Sequence, residues 1–88
     1  MKSRTHRRFW NEFHRLPAHV QCLARDKFQI WQHDPFHPSM QFKPLRANVW
    51  SVRIGDHYRA LARREGELVV WFWIGSHEEY DQFINQLR

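Results

Sequence analysis

The sequence predicts an α+β fold in which helices pack on a small antiparallel sheet. Three observations lead to this class. Apolar residues recur at helical spacing in the first third of the chain, alternate with polar residues just after position 50, and return to helical spacing near the end. The predicted order is helix, helix, strand, strand, strand, helix. The 88 residues are expected to form one domain, 1–88, because so short a chain can build only a single hydrophobic core.

The first third of the chain predicts two antiparallel helices joined by a tight turn at Leu16-Pro17. Phe9 and Phe13 lie four residues apart, as on one face of a helix. Pro17 ends this helix and can occupy the first turn of the next. The second helix has an apolar stripe made of Val20, Ala24, Phe28 and Trp31. A short edge strand is expected before Thr5.

The middle of the chain predicts a three-stranded meander. Residues 34–44 contain three prolines and are expected to form an irregular loop. In Trp50–Ile54, apolar residues alternate with Ser and Arg, which indicates a half-buried strand. Tyr58–Arg64 forms the second strand, and Leu68–Ile74, apolar at every position, forms a third strand covered on both faces. Trp71 and Trp73 within it are expected to belong to the core.

A final amphipathic helix is predicted after Gly75, which is expected to break the third strand. The segment Ser76–Glu79 has the Ser-x-x-Glu form of a capping box, in which the two side chains satisfy free backbone groups at a helix start. The apolar residues that follow fall at i, i+3, i+4 and i+7: Tyr80, Phe83, Ile84 and Leu87.

The charge balance indicates a polyanionic or acidic partner. Fourteen Lys and Arg oppose nine Asp and Glu, for a formal net charge of +5, and eleven of the fourteen are Arg. Arginine presents planar, bidentate donors that match phosphate and stack on bases. Nucleic acid or an acidic protein is therefore favoured, although a basic protein that binds neither has the same composition.

Several classes of site and location are excluded or disfavoured. The sequence has no apolar window long enough to span a membrane and no apolar stretch near the start, so neither a membrane span nor a signal peptide is expected. The single cysteine, Cys22, is expected to be a small core residue, and a chain without internal disulfides suits the cytoplasm. Neither cofactor nor metal is expected, since nucleotide-binding and metal-binding motifs are absent and Pro35 prevents His33 and His37 from sharing a helix.

Five side chains form a candidate site on the sheet and its exit, and two arginines, the histidine and the tyrosine among them are expected to converge at one end of the sheet. Arg53 alternates out of the apolar face of its strand, and Arg59 and Arg63 share one face of the next strand. His77 begins the last helix, where free backbone N–H groups favour an anion, and Tyr80 follows one turn later. Solvated arginines, a polar histidine in a first helical turn and a core tyrosine are the simpler interpretations.

This group suits metal-independent cleavage of RNA. Attack by a 2′-hydroxyl needs a base, an acid for the leaving oxygen, and fixed positive charge around the phosphate. The imidazole of a histidine such as His77 can accept or give a proton near neutral pH. Arg53, Arg59 and Arg63 would bind RNA phosphates, while Tyr80 would stack on a base or assist proton transfer. His77, Arg59 and Tyr80 are therefore the candidate catalytic residues.

Two runs, Trp50–Ala60 and Trp73–Asp81, resemble the RelE/ParE superfamily of bacterial type II toxins. The resemblance implies a microbial RNase-like fold and a cognate antitoxin in a toxin–antitoxin hetero-oligomer. Arg59 matches a phosphate-binding Arg of RelE-like toxins, Arg53 a basic strand residue, and His77 an Arg or His that follows the glycine of the last strand. Tyr80 matches a late aromatic residue.

Two activities occur in this superfamily, so the resemblance leaves alternatives open. RelE-like members cleave mRNA on the ribosome and inhibit translation, and ParE-like members poison DNA gyrase without enzymatic activity. RelE-like sites often have a second basic residue where this sequence has Ser51. The leading hypothesis is a cytoplasmic endoribonuclease toxin acting on mRNA and the ribosome. A gyrase poison and an inactive RNA-binding relative remain as alternatives.

Overall fold

The computed structural model of the chain describes residues 1–86. Residues 1–86 contain three α-helices, one 3₁₀ turn and five strands. In chain order these are β1 Lys2–Thr5, α1 Arg7–Phe13, α2 Ala18–His33, the 3₁₀ turn Pro38–Met40, β2 Lys43–Arg46, β3 Val49–Ile54, β4 Tyr58–Glu65, β5 Leu68–Ser76 and α3 His77–Gln86. No helix within the described residues is both long and apolar enough to cross a membrane.

All five strands form one sheet in the order β1-β5-β4-β3-β2. Strands β3, β4 and β5 form the predicted antiparallel meander, and the predicted N-terminal edge strand is β1. Two features were not anticipated. β1 runs parallel to β5, and the end of the expected loop forms a further edge strand, β2. Pro44 lies within β2, a position open to proline because an edge strand need not donate every N–H to a neighbour.

The first face of the sheet carries the larger part of the core, beneath α1 and α2. Helix α1 packs on β5 and α2 packs on β3. Trp31 of α2 lies against Trp71 of β5, with ring centres 5.2 Å apart, and both rings are buried. The predicted stripe of α2 is confirmed at three buried positions, Val20, Ala24 and Trp31, so the helical periodicity of the sequence identified the core face.

Helix α3 covers the second face of the sheet, where it packs on β4 and β5. Leu61 of β4 is fully buried there, opposite Trp73 in the strand register. The Trp73 ring in turn stacks on Phe83 of α3 at 6.2 Å. Trp71 and Trp73 are thus both core residues, as predicted, on opposite faces. The last predicted residue of the α3 stripe, Leu87, lies outside the described residues.

Two local predictions are wrong. Gly75 does not break β5, because the strand continues through Gly75 to Ser76. The glycine instead makes room for an indole: a Cβ at this position would lie 2.6 Å from a ring carbon of Trp73. Cys22 is exposed, not in the core, because it lies about 200° around the helix from Val20 at ~100° per residue.

Candidate functional site

The predicted arginines lie on the second face of the sheet, near the turn between β3 and β4. Arg53 and Arg59 are directly opposite each other in the antiparallel register, and Gly75 of β5 pairs with Arg59 from the other side. Because side chains alternate along a strand, residues paired in this way point to the same face. Two guanidinium groups are therefore placed next to the point where β5 leads into α3.

The start of α3 is fixed by the predicted capping box. The backbone N–H of Glu79 donates to Ser76 Oγ at 3.1 Å, and the backbone N–H of Ser76 donates to Glu79 Oε1 at 3.1 Å. The backbone N–H of His77 donates to the carbonyl of His57, at 2.7 Å, and so joins α3 to the β3–β4 turn. These bonds hold His77 at the same end of the sheet as the paired arginines.

His77, Tyr80 and Arg59 form a continuous row of side chains, which we call the His77 row. The imidazole of His77 stacks on the Tyr80 ring with centres 6.0 Å apart. On the same Tyr80 ring, the guanidinium carbon of Arg59 lies 5.9 Å from the centre. His77 Nε2 lies 3.4 Å from Asp81 Oδ2, and the His77 side chain keeps 45% of its surface exposed. The row therefore brings an imidazole, a phenol and a guanidinium together at an accessible surface.

The two arginines of the site have different partners. Arg53 donates from Nε to the Gly55 carbonyl at 3.0 Å and forms an ion pair with Asp56. Arg59 donates to the Tyr58 carbonyl at 3.0 Å, and within residues 1–86 no carboxylate lies within ion-pair distance of it. Arg59 therefore keeps the larger share of its charge available to an anion.

Arg63 is separated from the His77 row. It shares the strand and the face of Arg59, but four residues along β4 correspond to about 13 Å at ~3.3 Å per residue. Its guanidinium carbon lies 5.8 Å from the Phe72 ring centre, and it lines a pocket with His6 and Arg8. The structure thus brings together four of the five predicted site residues and places the fifth at a second basic position on the same face.

Sequence reasoning missed the carboxylates of the site. Asp81 follows His77 by four residues on α3, a spacing that brings two helical side chains together, and this signal was present in the sequence. Asp56 follows β3 and neutralises part of the Arg53 charge. Within residues 1–86, no group of three or more His, Cys, Asp or Glu is arranged to hold a metal ion.

Solved structures share this fold over most of their length. The toxin–antitoxin complex RelBE2 from Mycobacterium tuberculosis matches with a TM-score of 0.70 and 26% identity, over 86% of this chain and 90% of its own. A YoeB/ParE toxin from Agrobacterium tumefaciens matches with a TM-score of 0.67 and 22% identity. The match covers 88% of this chain and 99% of the A. tumefaciens chain. The isolated E. coli RelE toxin matches with a TM-score of 0.64 and 14% identity. The match covers 99% of this chain and 98% of the RelE chain.

The sequence itself carries the family assignment. No curated protein sequence matches this chain, but the profile of the ParE-like toxin domain matches residues 18–82. That match runs from the start of α2 into α3 and includes the strands that hold Arg53 and Arg59. The chain is therefore a member of the ParE-like toxin domain family, within the RelE/ParE superfamily of toxins.

Proposed function

We propose that this toxin is a metal-independent endoribonuclease that cleaves mRNA on the ribosome. The observation that carries the proposal is the His77 row, in which an imidazole and a guanidinium both lie against one tyrosine ring. An accessible group for proton transfer beside fixed positive charge is what phosphodiester cleavage requires. The basic net charge of +5 favours RNA as the substrate.

Each residue of the site has a role in the proposed reaction. Nε2 of the His77 imidazole takes the proton of a ribose 2′-hydroxyl as the O2′–P bond forms, since Nδ1 is buried. The P–O5′ bond breaks, and the Tyr80 hydroxyl supplies a proton to the leaving oxygen. The products are a 2′,3′-cyclic phosphate and a 5′-hydroxyl end, and proton transfer from the imidazolium to the phenolate restores the enzyme. Arg59 holds the phosphate and stabilises its developing charge, with Arg53 beside it.

Primer extension on a reporter mRNA in a purified translation system tests this function. Cuts that appear only when ribosomes are translating the mRNA are expected with the wild-type protein. His77→Ala and Arg59→Ala should each lower cleavage at least a hundredfold, the scale on which general acid–base and electrostatic contributions are lost. His19→Ala and Arg4→Ala are matched controls, since both residues are exposed and lie outside the site.

Two results would contradict the proposal. Intact mRNA with the folded wild-type protein would exclude cleavage, and full cleavage by both site variants would exclude the His77 row as the catalytic centre. Circular dichroism and urea unfolding of each variant separate a lost activity from a lost fold. A normal unfolding midpoint together with lost cleavage is the expected combination.

A gyrase poison of the ParE kind is the second candidate. It is favoured by the description of the matching family as ParE-like and by Ser51, which is buried in β3 where RelE-like sites often have a basic residue. Inhibition of DNA supercoiling in the absence of mRNA cleavage would establish this activity. Cleavage with unaltered supercoiling would exclude it.

We further propose that a cognate antitoxin binds this toxin. The M. tuberculosis relative was solved as a toxin–antitoxin complex, and the outer edge of β2, with exposed Lys43 and Arg46, leaves backbone groups free for an added strand. An acidic antitoxin segment would complement these charges. Co-expression with the product of the neighbouring gene should give a stable complex, and separation of the two proteins on size-exclusion chromatography would count against it.

A further inference from the structure

An aromatic and basic patch lies at the far end of the sheet from the His77 row. It consists of Phe36, which follows α2, Trp50 at the start of β3, and Arg64 near the end of β4. We call it the Phe36 patch. Phe36 leaves 56% of its surface exposed, although phenylalanine is among the residue types most often fully buried. No role in cleavage accounts for this exposure.

Arg64 lies over both aromatic rings of the patch. Its guanidinium carbon is 4.7 Å from the Trp50 ring centre and 5.9 Å from that of Phe36. The centres of the Phe36 and Trp50 rings lie 6.2 Å apart, with 70° between the ring planes. The ring of buried Phe42 packs against both, with its centre 4.7 Å from that of Trp50 and 5.5 Å from that of Phe36. The patch is thus a packed surface whose parts hold one another in place.

The charge of Arg64 is not neutralised by the rest of the described chain. Its Nε donates to the Gly66 carbonyl at 3.3 Å, and within residues 1–86 it forms no ion pair. A guanidinium fixed over aromatic rings, with its charge free, offers a phosphate contact beside a stacking surface. Such a combination is how proteins bind single-stranded nucleic acid.

Trp10 provides an internal comparison. It is the other exposed large aromatic residue of the described chain, with 44% of its surface exposed. Its ring neighbours are Phe9, Phe13 and His14, and within residues 1–86 no arginine lies over its ring. Exposure of an aromatic ring alone therefore does not distinguish the Phe36 patch; the uncompensated arginine over its rings does.

We propose that the Phe36 patch binds an unpaired RNA nucleotide, with the base stacked on Phe36 and a phosphate bound by Arg64. This contact is separate from the cleavage site. Arg59 and Arg64 are five residues apart on β4, about 16 Å at ~3.3 Å per residue, and an odd separation places them on opposite faces. The inference rests on the proposed function only in taking RNA as the target. It adds a further RNA contact that would anchor the toxin while the His77 row acts.

Fluorescence anisotropy with a labelled single-stranded RNA tests the proposal. The probe is a dodecamer with 2′-O-methyl groups, which cannot be cleaved, and all proteins carry Arg59→Ala so that the cleavage site contributes little binding. Adding Phe36→Ala or Arg64→Ala should raise the Kd at least fivefold, through loss of base stacking in the first variant and of a phosphate contact in the second. Trp10→Ala and Arg7→Ala are the matched controls and should change the Kd less than twofold.

Three results would overturn the proposal. The first is an unchanged Kd for both patch variants, and the second is an equal loss for Trp10→Ala. The third is a weaker antitoxin complex with Phe36→Ala while RNA binding stays unchanged, which would assign the surface to a protein partner. The anisotropy assay measures binding to an uncleavable probe. It can therefore support the Phe36 patch as an RNA contact even if the protein is found not to cleave mRNA.

Discussion

Glu12 is a residue whose ionisation opposes folding. It lies in α1, and its Oε1 atom is buried without a hydrogen-bond partner. Burial raises the pKa of the Glu12 carboxyl above its ordinary value of 4.5; Arg8 acts against this, nearby Glu79 adds to it, and Arg15 again acts against it. The folded protein therefore binds the Glu12 proton more tightly than the unfolded chain does.

A pH-dependent loss of stability is expected from this carboxyl. The stability that the protonated Glu12 carboxyl contributes is fully present below its pKa of 4.5 in the unfolded chain. It is lost as the pH rises through the higher pKa of this carboxyl in the folded protein. Glu12→Gln keeps a neutral side chain throughout, so it should unfold at higher urea than wild type at about pH 7 and match it at about pH 4. Glu65→Gln, at an exposed position, is the control. Equal pH dependence of wild type and Glu12→Gln would contradict this account.

At the scale of elements, the junction between β5 and α3 connects the core to the site. Trp73 fills the space above Gly75 on one side of this junction, and His77 follows two residues later. The packing of Trp73 on Gly75 therefore constrains the same short segment that sets the position of His77.

Gly75→Ala should damage activity through this junction. The added Cβ would lie 2.6 Å and 2.8 Å from two ring carbons of buried Trp73, and relief of such overpacking costs about 1–3 kcal/mol. Movement of β5 would shift His77, so the loss of cleavage should exceed the loss of folded protein. Gly66→Ala is the contrast: at φ +61° it is strained but meets no atom within 4 Å, so it should lower stability and spare cleavage. Equal cleavage by both variants would refute the coupling.

Local patterns were sufficient for some elements and insufficient for others. Alternation predicted β3, and the capping box predicted the start of α3, because these signals are carried by neighbouring residues. The strand β2 was missed because its pairing with β3 depends on residues beyond it in the chain, and Pro44 resembles a loop residue. The prediction that Gly75 ends a strand was wrong because this glycine is needed for close packing of the Trp73 indole and not for a turn.

The candidate site shows the same division. Strand alternation and the helix start predicted that Arg53, Arg59 and His77 would lie at one end of the sheet, and they do. The ion pair of Arg53 with Asp56 and the distance of Arg63 from the row depend on register and side-chain conformation. Sequence periodicity reports neither strand register nor side-chain conformation, so the different environments of the three arginines could not be predicted.

At the scale of the whole molecule, the net charge of +5 and the spread of basic residues over the sheet predict salt-dependent RNA binding. Each phosphate contact to a single strand contributes about −0.7 to the slope of log K against log salt. Arg63→Ala should reduce the slope by about that amount and raise the Kd, while cleavage of bound RNA in a single turnover proceeds at the wild-type rate. A slower single turnover would instead place Arg63 in the catalytic step.

The parallel pairing of β1 with β5 has a consequence for biosynthesis. β1 pairs with β5, Lys2 opposite Leu68, so the sheet cannot be completed until β5 has emerged from the ribosome. Contacts between such distant segments form late because loop closure must precede them. The sheet is therefore incomplete, and the residues of the His77 row cannot come together, until β5 and the start of α3 have been synthesised.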